Sequence, residues 1–149
     1  MKILVGVDDS PHARAAVEYI RTQKWPAGTR VVVMSVVRPA VGAYTEVYVP
    51  GGGLPESVRD EMVRHHQEIA AAAEKDLQGT GLATEARVVS GDPREALIEV
   101  ARSINADLLV VGSHGRSGLA KLLMGSVASH VVSHAPCNVL VVKLGAVPA

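Results

Sequence analysis

The sequence predicts an α/β fold with one doubly wound, five-stranded parallel sheet. Short runs of valine, leucine and isoleucine alternate along the chain with longer segments whose apolar residues recur at helical spacing. The short runs lack the apolar–polar alternation of a half-exposed strand, so each needs apolar cover on both faces, as the strands of a parallel sheet have. A length of 149 residues fits one domain, which we assign to residues 1–149.

The first part of the chain predicts two strands with a capped helix between them. Residues 3–7 and 31–37 are apolar, β-branched runs typical of buried strands. Between them, Ser10 is placed to cap a helix that begins at Pro11, where a proline loses no hydrogen bond. The segment from Arg38 to Pro55 is rich in proline and glycine and predicts a surface loop; a lid over a site and a connector without a role both stay open.

The long helix predicted over residues 56–78 carries two adjacent histidines. Glu61, His65 and His66 have side chains of the types that bind metal ions. However, adjacent residues such as the two histidines point in different directions on a helix. We therefore predict that these histidines are solvated surface side chains. The apolar face of the helix is formed by Met62, Ile69, Ala73 and Leu77.

The second half of the chain continues the alternation of strand and helix. Residues 83–90 predict the third strand, 108–111 the fourth and 139–142 the fifth. Asp92 and Pro93 have the positions of an N-cap and a first helical residue, so a helix precedes the fourth strand.

The fourth strand leads into a glycine-rich stretch that runs from Gly112 to Gly118. Gly112 and Gly115 let the backbone approach a ligand without side chains in the way. Further on, Gly125-Ser126 begins another helix, with Ser126 as the predicted N-cap. A glycine-rich turn and a helix N-terminus both present main-chain N–H groups, which bind anions. We interpret this stretch as a phosphate-binding site.

The amino-acid composition limits the classes of partner that the protein is expected to bind. Fifteen basic and fifteen acidic residues give zero formal net charge, so we expect neither nucleic acid nor an anionic membrane as a main partner. The aromatic content is 3%, which leaves no platform for stacking nucleic-acid bases. Met1 leads directly into a strand and no run approaches the ~20 apolar residues of a membrane span, so we expect a soluble, cytoplasmic protein. We expect the single cysteine, Cys137, to be a small, buried, hydrophobic side chain.

The glycine spacing resembles the nucleotide-binding motif of the universal stress protein family. Four residues form the pattern Gly-x2-Gly-x9-Gly-Ser: Gly112, Gly115, Gly125 and Ser126. The resemblance extends to residues 3–8 and 135–142, and so covers nearly the whole chain. It implies a three-layer α/β/α fold of the adenine nucleotide alpha hydrolase-like kind with strand order 3-2-1-4-5. In that order Asp8 and Gly112 follow neighbouring strands at the point where the order reverses, which is where such sheets bind ligands.

The resemblance also implies which residues contact the nucleotide. The phosphates would lie against the three glycines of the motif, the Ser126 hydroxyl and the Val127 amide. Arg116 would add a charged contact and His114 a main-chain amide, with its ring toward solvent. Two simpler readings stay open: the glycines only form tight turns while Ser126 only caps a helix, and Arg116 is a solvated cation.

On the other side of the site, the resemblance places Asp8 near the ribose and a bound Mg²⁺. Gly6 and Val7 would line the same crevice, and the backbone of Val36 would meet the adenine. Asp9 departs from the family, in which many relatives have a small residue there. A second carboxylate repels a triphosphate unless a divalent ion intervenes or the side chain turns away, so we hypothesise Mg²⁺ dependence.

These expectations add up to a protein that binds ATP, ADP or AMP with Mg²⁺ and has little or slow hydrolysis. The G-x4-GK-[ST] phosphate-binding loop of P-loop NTPases is missing from the sequence. The resemblance implies a homodimer paired through the strand from Val139 to Val142, with a nucleotide-dependent role in stress response and an unidentified protein partner. A scaffold that binds no nucleotide, a slow ATP hydrolase and a cyclic nucleotide as ligand are the alternatives.

Overall fold

The computed structural model describes residues 1–39, 54–115 and 123–145. Within them the chain alternates strand and helix in this order: β1 (Lys2–Val7), α1 (Pro11–Thr22), β2 (Arg30–Val37), α2 (Glu56–Leu77), β3 (Ala83–Ser90), α3 (Pro93–Ser103), β4 (Leu108–Gly112), α4 (Ser126–His134) and β5 (Asn138–Val142). Neighbouring strands pair in parallel in the order β3-β2-β1-β4-β5. The predicted fold class and strand order are therefore confirmed.

Two apolar layers cover the sheet, one on each face. Ile3 and Val5 of β1 point to the side of α1 and α2, where they join a core that includes Ile20 and Leu77. Leu4 points to the opposite side, toward α3 and α4, and belongs to a second core with Leu97. Because both faces are covered, the central strands are almost entirely apolar, which is the pattern that predicted a parallel sheet.

The starts of α1 and α3 follow the predicted capping chemistry. The Ser10 hydroxyl accepts a hydrogen bond from the Ala13 amide at 3.1 Å, and the Asp92 carboxylate accepts one from the Arg94 amide at 2.9 Å. Proline occupies the first helical turn in both cases. These caps supply acceptors for amides that have no partner within the helix.

The start of α4 differs from the prediction. Gly125, not Ser126, is the N-cap, and no side chain makes a cap hydrogen bond there. A side chain at residue 125 would press on the main chain of Ser113 and His114, because an added Cβ would lie 3.1 Å from atoms of both residues. The close approach of this main chain favours glycine at the cap position, and Ser126 is the first helical residue.

His66 also departs from the prediction of solvated histidines. Its residue is 8% exposed, and Nδ1 lies 2.7 Å from the Ser35 hydroxyl of β2. His65 is exposed, as predicted. Position 66 lies four residues after Met62 and three before Ile69, so it falls on the same buried face of α2.

Three further predictions concern Cys137, the loop from Arg38 to Pro55 and membrane-spanning segments. Cys137 is half-buried and packs against the core on the α3 and α4 side, and burial raises the pKa of its thiol. The predicted loop from Arg38 to Pro55 falls mostly on residues 40–53, which lie outside the described residues, so its role stays a prediction. No helix in the described ranges is long and apolar enough to cross a membrane.

Candidate functional site

A cavity of about 620 Å³ opens where β1 and β4 end side by side. All the predicted contact residues that the structure describes line this cavity: Gly6, Val7, Asp8, Val36, Gly112, His114, Gly115, Gly125, Ser126 and Val127. The remaining predicted residue, Arg116, lies outside the described residues. Segments far apart in the sequence therefore converge on one concave space, although what occupies it stays a prediction.

One end of the cavity is formed by main chain. The turn after β4 and the first residues of α4 lie in contact, because the Gly125 amide donates a hydrogen bond to the Ser113 carbonyl at 2.8 Å. Gly115 faces the carboxylate of Asp8, and a Cβ added to Gly115 would lie 3.2 Å from Asp8 Oδ2. A glycine turn, a helix N-terminus and one carboxylate thus share a small volume, an arrangement suited to a phosphate with a bound cation.

Gly112 has a different structural reason to be glycine. A Cβ at this position would lie 2.7 Å from the carbonyl carbon and oxygen of His12, which are main-chain atoms of α1. The first turn of α1 therefore packs directly on the end of β4. The absence of a side chain at Gly112 brings α1 close to the sheet, and the backbone of Gly112 also lines the cavity.

The two aspartates after β1 point to different places. Asp8 lines the cavity, and its Oδ1 accepts a hydrogen bond from the Ser10 amide at 2.9 Å. Asp9 Oδ2 lies 3.6 Å from His65 Nε2 on α2. The Asp9 carboxylate thus lies beside α2, and Asp9 is not among the residues that line the cavity. Asp9 in this position need not repel a triphosphate in the cavity, so it gives no reason of its own to expect Mg²⁺ dependence.

The ring of His114 contacts protein instead of turning to solvent as predicted. Its Nδ1 lies 3.0 Å from the Ser113 hydroxyl, and its Nε2 is hydrogen-bonded to the Leu123 carbonyl. The His12 ring lies beside it, with ring centroids 5.0 Å apart. His114 therefore connects the turn after β4 to the segment that leads into α4.

The other end of the cavity is mostly apolar. Its wall there comes from β2, α2 and α3 and includes Met34, Val36, Met62, Pro93 and Leu97, with His66 as a polar neighbour. An apolar slot beside a polar end suits a flat, weakly polar group joined to an anionic one. Within the described ranges, no group of three or more His, Cys, Asp or Glu side chains is placed to hold a metal ion.

A model of the universal stress protein family matches residues 1–143. The chain belongs to the universal stress protein family. A universal stress protein of Thermus aquaticus is 31% identical over 142 residues, which cover 95% of this chain and 97% of the relative.

Solved structures of universal stress proteins share the fold. The structure of MJ0577, a universal stress protein of Methanocaldococcus jannaschii, has a TM-score of 0.79 at 24% identity and covers 95% of this chain and 94% of its own. A universal stress protein in complex with cAMP has a TM-score of 0.60 at 27% identity and covers 96% of both chains. The five-stranded order 3-2-1-4-5 is thus that of known universal stress proteins.

In this universal stress protein, several residues that line the cavity or lie beside it were not assigned to the site from the sequence. His66 carried a signal, because it continues the apolar spacing of α2, and its polar side chain obscured it. His12 and Ser113 carried none, since their contact depends on how closely α1 packs on β4. Leu123 and Met124 also line the cavity beside the start of α4, and both are exposed.

Proposed function

We propose that this universal stress protein binds an adenine nucleotide in the cavity between β1 and β4. The phosphates would lie against the turn from Gly112 to Gly115 and the N-terminus of α4, where N–H groups and the helix dipole favour an anion. The base would occupy the apolar end beside Val36. The related universal stress protein in complex with cAMP supports an adenine nucleotide as the class of ligand.

The observation that carries this proposal is the convergence of Asp8, Gly115 and Gly125 at one end of the cavity. Each glycine lies where a side chain would fill the space or strike the main chain, since the added Cβ at Gly115 meets the Asp8 carboxylate and the one at Gly125 meets Ser113 and His114. Because these side chains are absent, a ligand can lie directly against the main chain of the turn. Ser126, the first residue of α4, also lines the cavity.

Magnesium fits this site through Asp8. Mg²⁺ in nucleotide sites is held by one or two carboxylates together with phosphate oxygens and water, and Asp8 supplies one carboxylate that faces the phosphate end. When bound, the ion would neutralise charge on the phosphates. Asp8 and the main-chain amides would do the rest of the positioning.

Efficient hydrolysis is not part of the proposal. The chain lacks a G-x4-GK-[ST] loop, and hence the lysine that such loops direct at the terminal phosphates. We propose instead a cytoplasmic module whose nucleotide state alters its contacts with a protein partner.

We further propose that the protein is a homodimer paired through β5. This strand lies at one edge of the sheet. An edge strand leaves main-chain N–H and C=O groups available for a second copy.

The decisive experiment has two parts. Mass spectrometry of the protein purified without added ligand would identify a nucleotide that is already held. Calorimetric titration of nucleotide-free protein with ATP and Mg²⁺ would then measure affinity for the wild type and Gly115→Val, whose branched side chain would occupy the space between Gly115 and Asp8. We expect binding in the wild type and a loss of at least about tenfold in the variant.

A matched pair of serine variants controls for general effects on α4. Ser126→Ala removes the hydroxyl of a residue that lines the cavity, whereas Ser133→Ala removes one that donates to the Ser129 carbonyl at 3.1 Å further along the helix. Ser126→Ala should weaken binding about fivefold and Ser133→Ala should leave it unchanged. Absence of bound nucleotide and of any titration heat at millimolar ATP would contradict the proposal, as would equal effects of the two serine variants.

A further inference from the structure

A single buried hydroxyl lies between two imidazole rings beneath the phosphate end of the cavity. Ser113 is 4% exposed, and its Oγ lies 3.3 Å from His12 Nδ1 and 3.0 Å from His114 Nδ1. The two rings are tilted by 51° with centroids 5.0 Å apart. His12 comes from the first turn of α1, so the cluster joins that helix to the turn after β4.

The hydrogen-bond partners determine where the protons lie in this cluster. The Leu123 carbonyl can only accept, so His114 Nε2 carries the hydrogen of that bond. In the neutral ring His114 Nδ1 is then an acceptor, and it takes the Ser113 hydroxyl hydrogen. The Ser113 oxygen is left to accept, and His12 Nδ1 is the donor. The order of donation is thus His12 to Ser113 to His114 to Leu123.

This chain of hydrogen bonds adds side-chain links to the main-chain contacts between the turn after β4 and the segment before α4. The Ser113 amide donates to the Val142 carbonyl of β5 at 2.8 Å, and its carbonyl accepts from the Gly125 amide, so the main chain of Ser113 is fixed. The Leu123 segment has its bond to the His114 ring as a further link to the turn. If His114 adopted the other tautomer, Nε2 would face the Leu123 carbonyl with a lone pair and the link would be lost.

We propose that His12 is a positioning residue for nucleotide binding. Acting through Ser113, it holds His114 in the tautomer that bonds Leu123 and so keeps the turn after β4 and the start of α4 at the separation that a phosphate requires. His12 does not line the cavity wall described above, so its effect on the ligand is indirect. This inference rests on the proposed nucleotide site.

The test compares two substitutions of His12. His12→Ala removes the donor, whereas in His12→Asn the side-chain NH2 takes the place of the Nδ1–H. We expect the nucleotide Kd to rise about fivefold in His12→Ala and to stay within about twofold of the wild type in His12→Asn. Nitrogen-15 NMR of the His114 ring, recorded without nucleotide, should report protonated Nε2 in the wild type and His12→Asn and a mixture of tautomers in His12→Ala.

A double-mutant cycle with Ser113→Ala separates positioning from general loss of stability. If His12 acts through Ser113, His12→Ala should have little further effect on Kd in the Ser113→Ala background. An unchanged His114 tautomer in His12→Ala would overturn the inference, and so would additive effects of the two substitutions. A wild type that binds no nucleotide would contradict the proposed function, and the tautomer measurement would still decide whether His12 positions His114.

Discussion

At the start of α3, one carboxylate both caps the helix and pairs with the side chain of its first turn. Asp92 accepts from the Arg94 amide at 2.9 Å, and Arg94 Nη2 lies 2.6 Å from Asp92 Oδ2. The hydrogen bonds from the Arg94 side chain and amide lower the pKa of Asp92 to about 2. Because the folded-state pKa lies below the unfolded value, this contribution to stability is present above pH 4 and is lost as the pH falls toward 2.

We therefore expect Asp92→Ala to lower the free energy of unfolding by about 1 kcal/mol at pH 7, most of it from the lost cap. The ion pair between Asp92 and Arg94 is exposed to solvent and therefore contributes little to stability. Asp92→Asn is the matched control, because its side chain still accepts from the Arg94 amide but does not titrate. Urea denaturation between pH 2 and pH 7 should give a smaller loss of stability on acidification for Asp92→Asn than for the wild type. Parallel curves for the two proteins would contradict this assignment.

Single residues also mark where sequence reasoning stops. Ser10 and Asp92 were predictable as caps because capping depends on residues two or three positions away. The burial of His66 was within reach of periodicity but was hidden by its polar side chain. The contact between His12 and Ser113 was out of reach, because it joins residues 101 positions apart through packing that no local pattern encodes.

At the scale of elements, the junction of α1 with β4 depends on one missing side chain. Gly112 ends β4, and any Cβ there would meet the His12 carbonyl group at 2.7 Å. Main-chain atoms of a packed helix cannot move aside by a change of rotamer, so α1 itself would have to shift. Gly115 is the useful contrast, since its added Cβ would meet only the end of the Asp8 side chain at 3.2 Å.

We expect Gly112→Ala to lower the free energy of unfolding by about 1–3 kcal/mol, as overpacking does. Gly115→Ala should leave stability unchanged or slightly raised, because alanine restricts the unfolded chain more than glycine does. Denaturant titrations of the wild type and both variants would measure this difference. Equal stability of the two variants would mean that α1 does not pack on Gly112 as closely as described.

The glycine spacing assigned three residues to one site, and all three line the cavity, although what they bind stays a prediction. It did not predict which glycine serves which purpose. Gly112 makes room for α1, Gly125 makes room for the turn that it follows, and Gly115 leaves open the space before Asp8. Sequence spacing alone treats the three alike, since the distinction comes from the neighbour that each would strike.

At the scale of the whole molecule, the order of the strands also cannot be predicted from local sequence patterns. The central strands are apolar on both faces, so periodicity establishes a parallel sheet without giving the order of its strands. The order came from the family resemblance, and the structure confirms it. The order then determines which strands become edges, and here they are β3 and β5.

The two edges differ in how they meet solvent. β3 carries an ion pair, with Arg87 Nη2 2.7 Å from Glu85 Oε1, and charge of this kind discourages pairing with another chain. β5 has the sequence NVLVV with no charged residue, and its Leu140 is only half-buried. Val132 on α4 and Leu144 after β5 are 50% and 51% exposed. We therefore expect a second copy of the chain to pair with β5 and not with β3.

Sedimentation velocity tests the proposed dimer through matched substitutions at the two edges. Leu140→Glu places a charge in the middle of β5, where pairing with a second copy would bury it, and should convert a dimer to a monomer. Val88→Glu places the same charge in β3 at a half-buried position and should leave the dimer intact. Circular dichroism establishes that each variant is folded before its mass is interpreted. A monomeric wild type, or a folded Leu140→Glu protein that stays dimeric, would rule out β5 as the interface, because a buried glutamate at that edge has no partner to offset its desolvation.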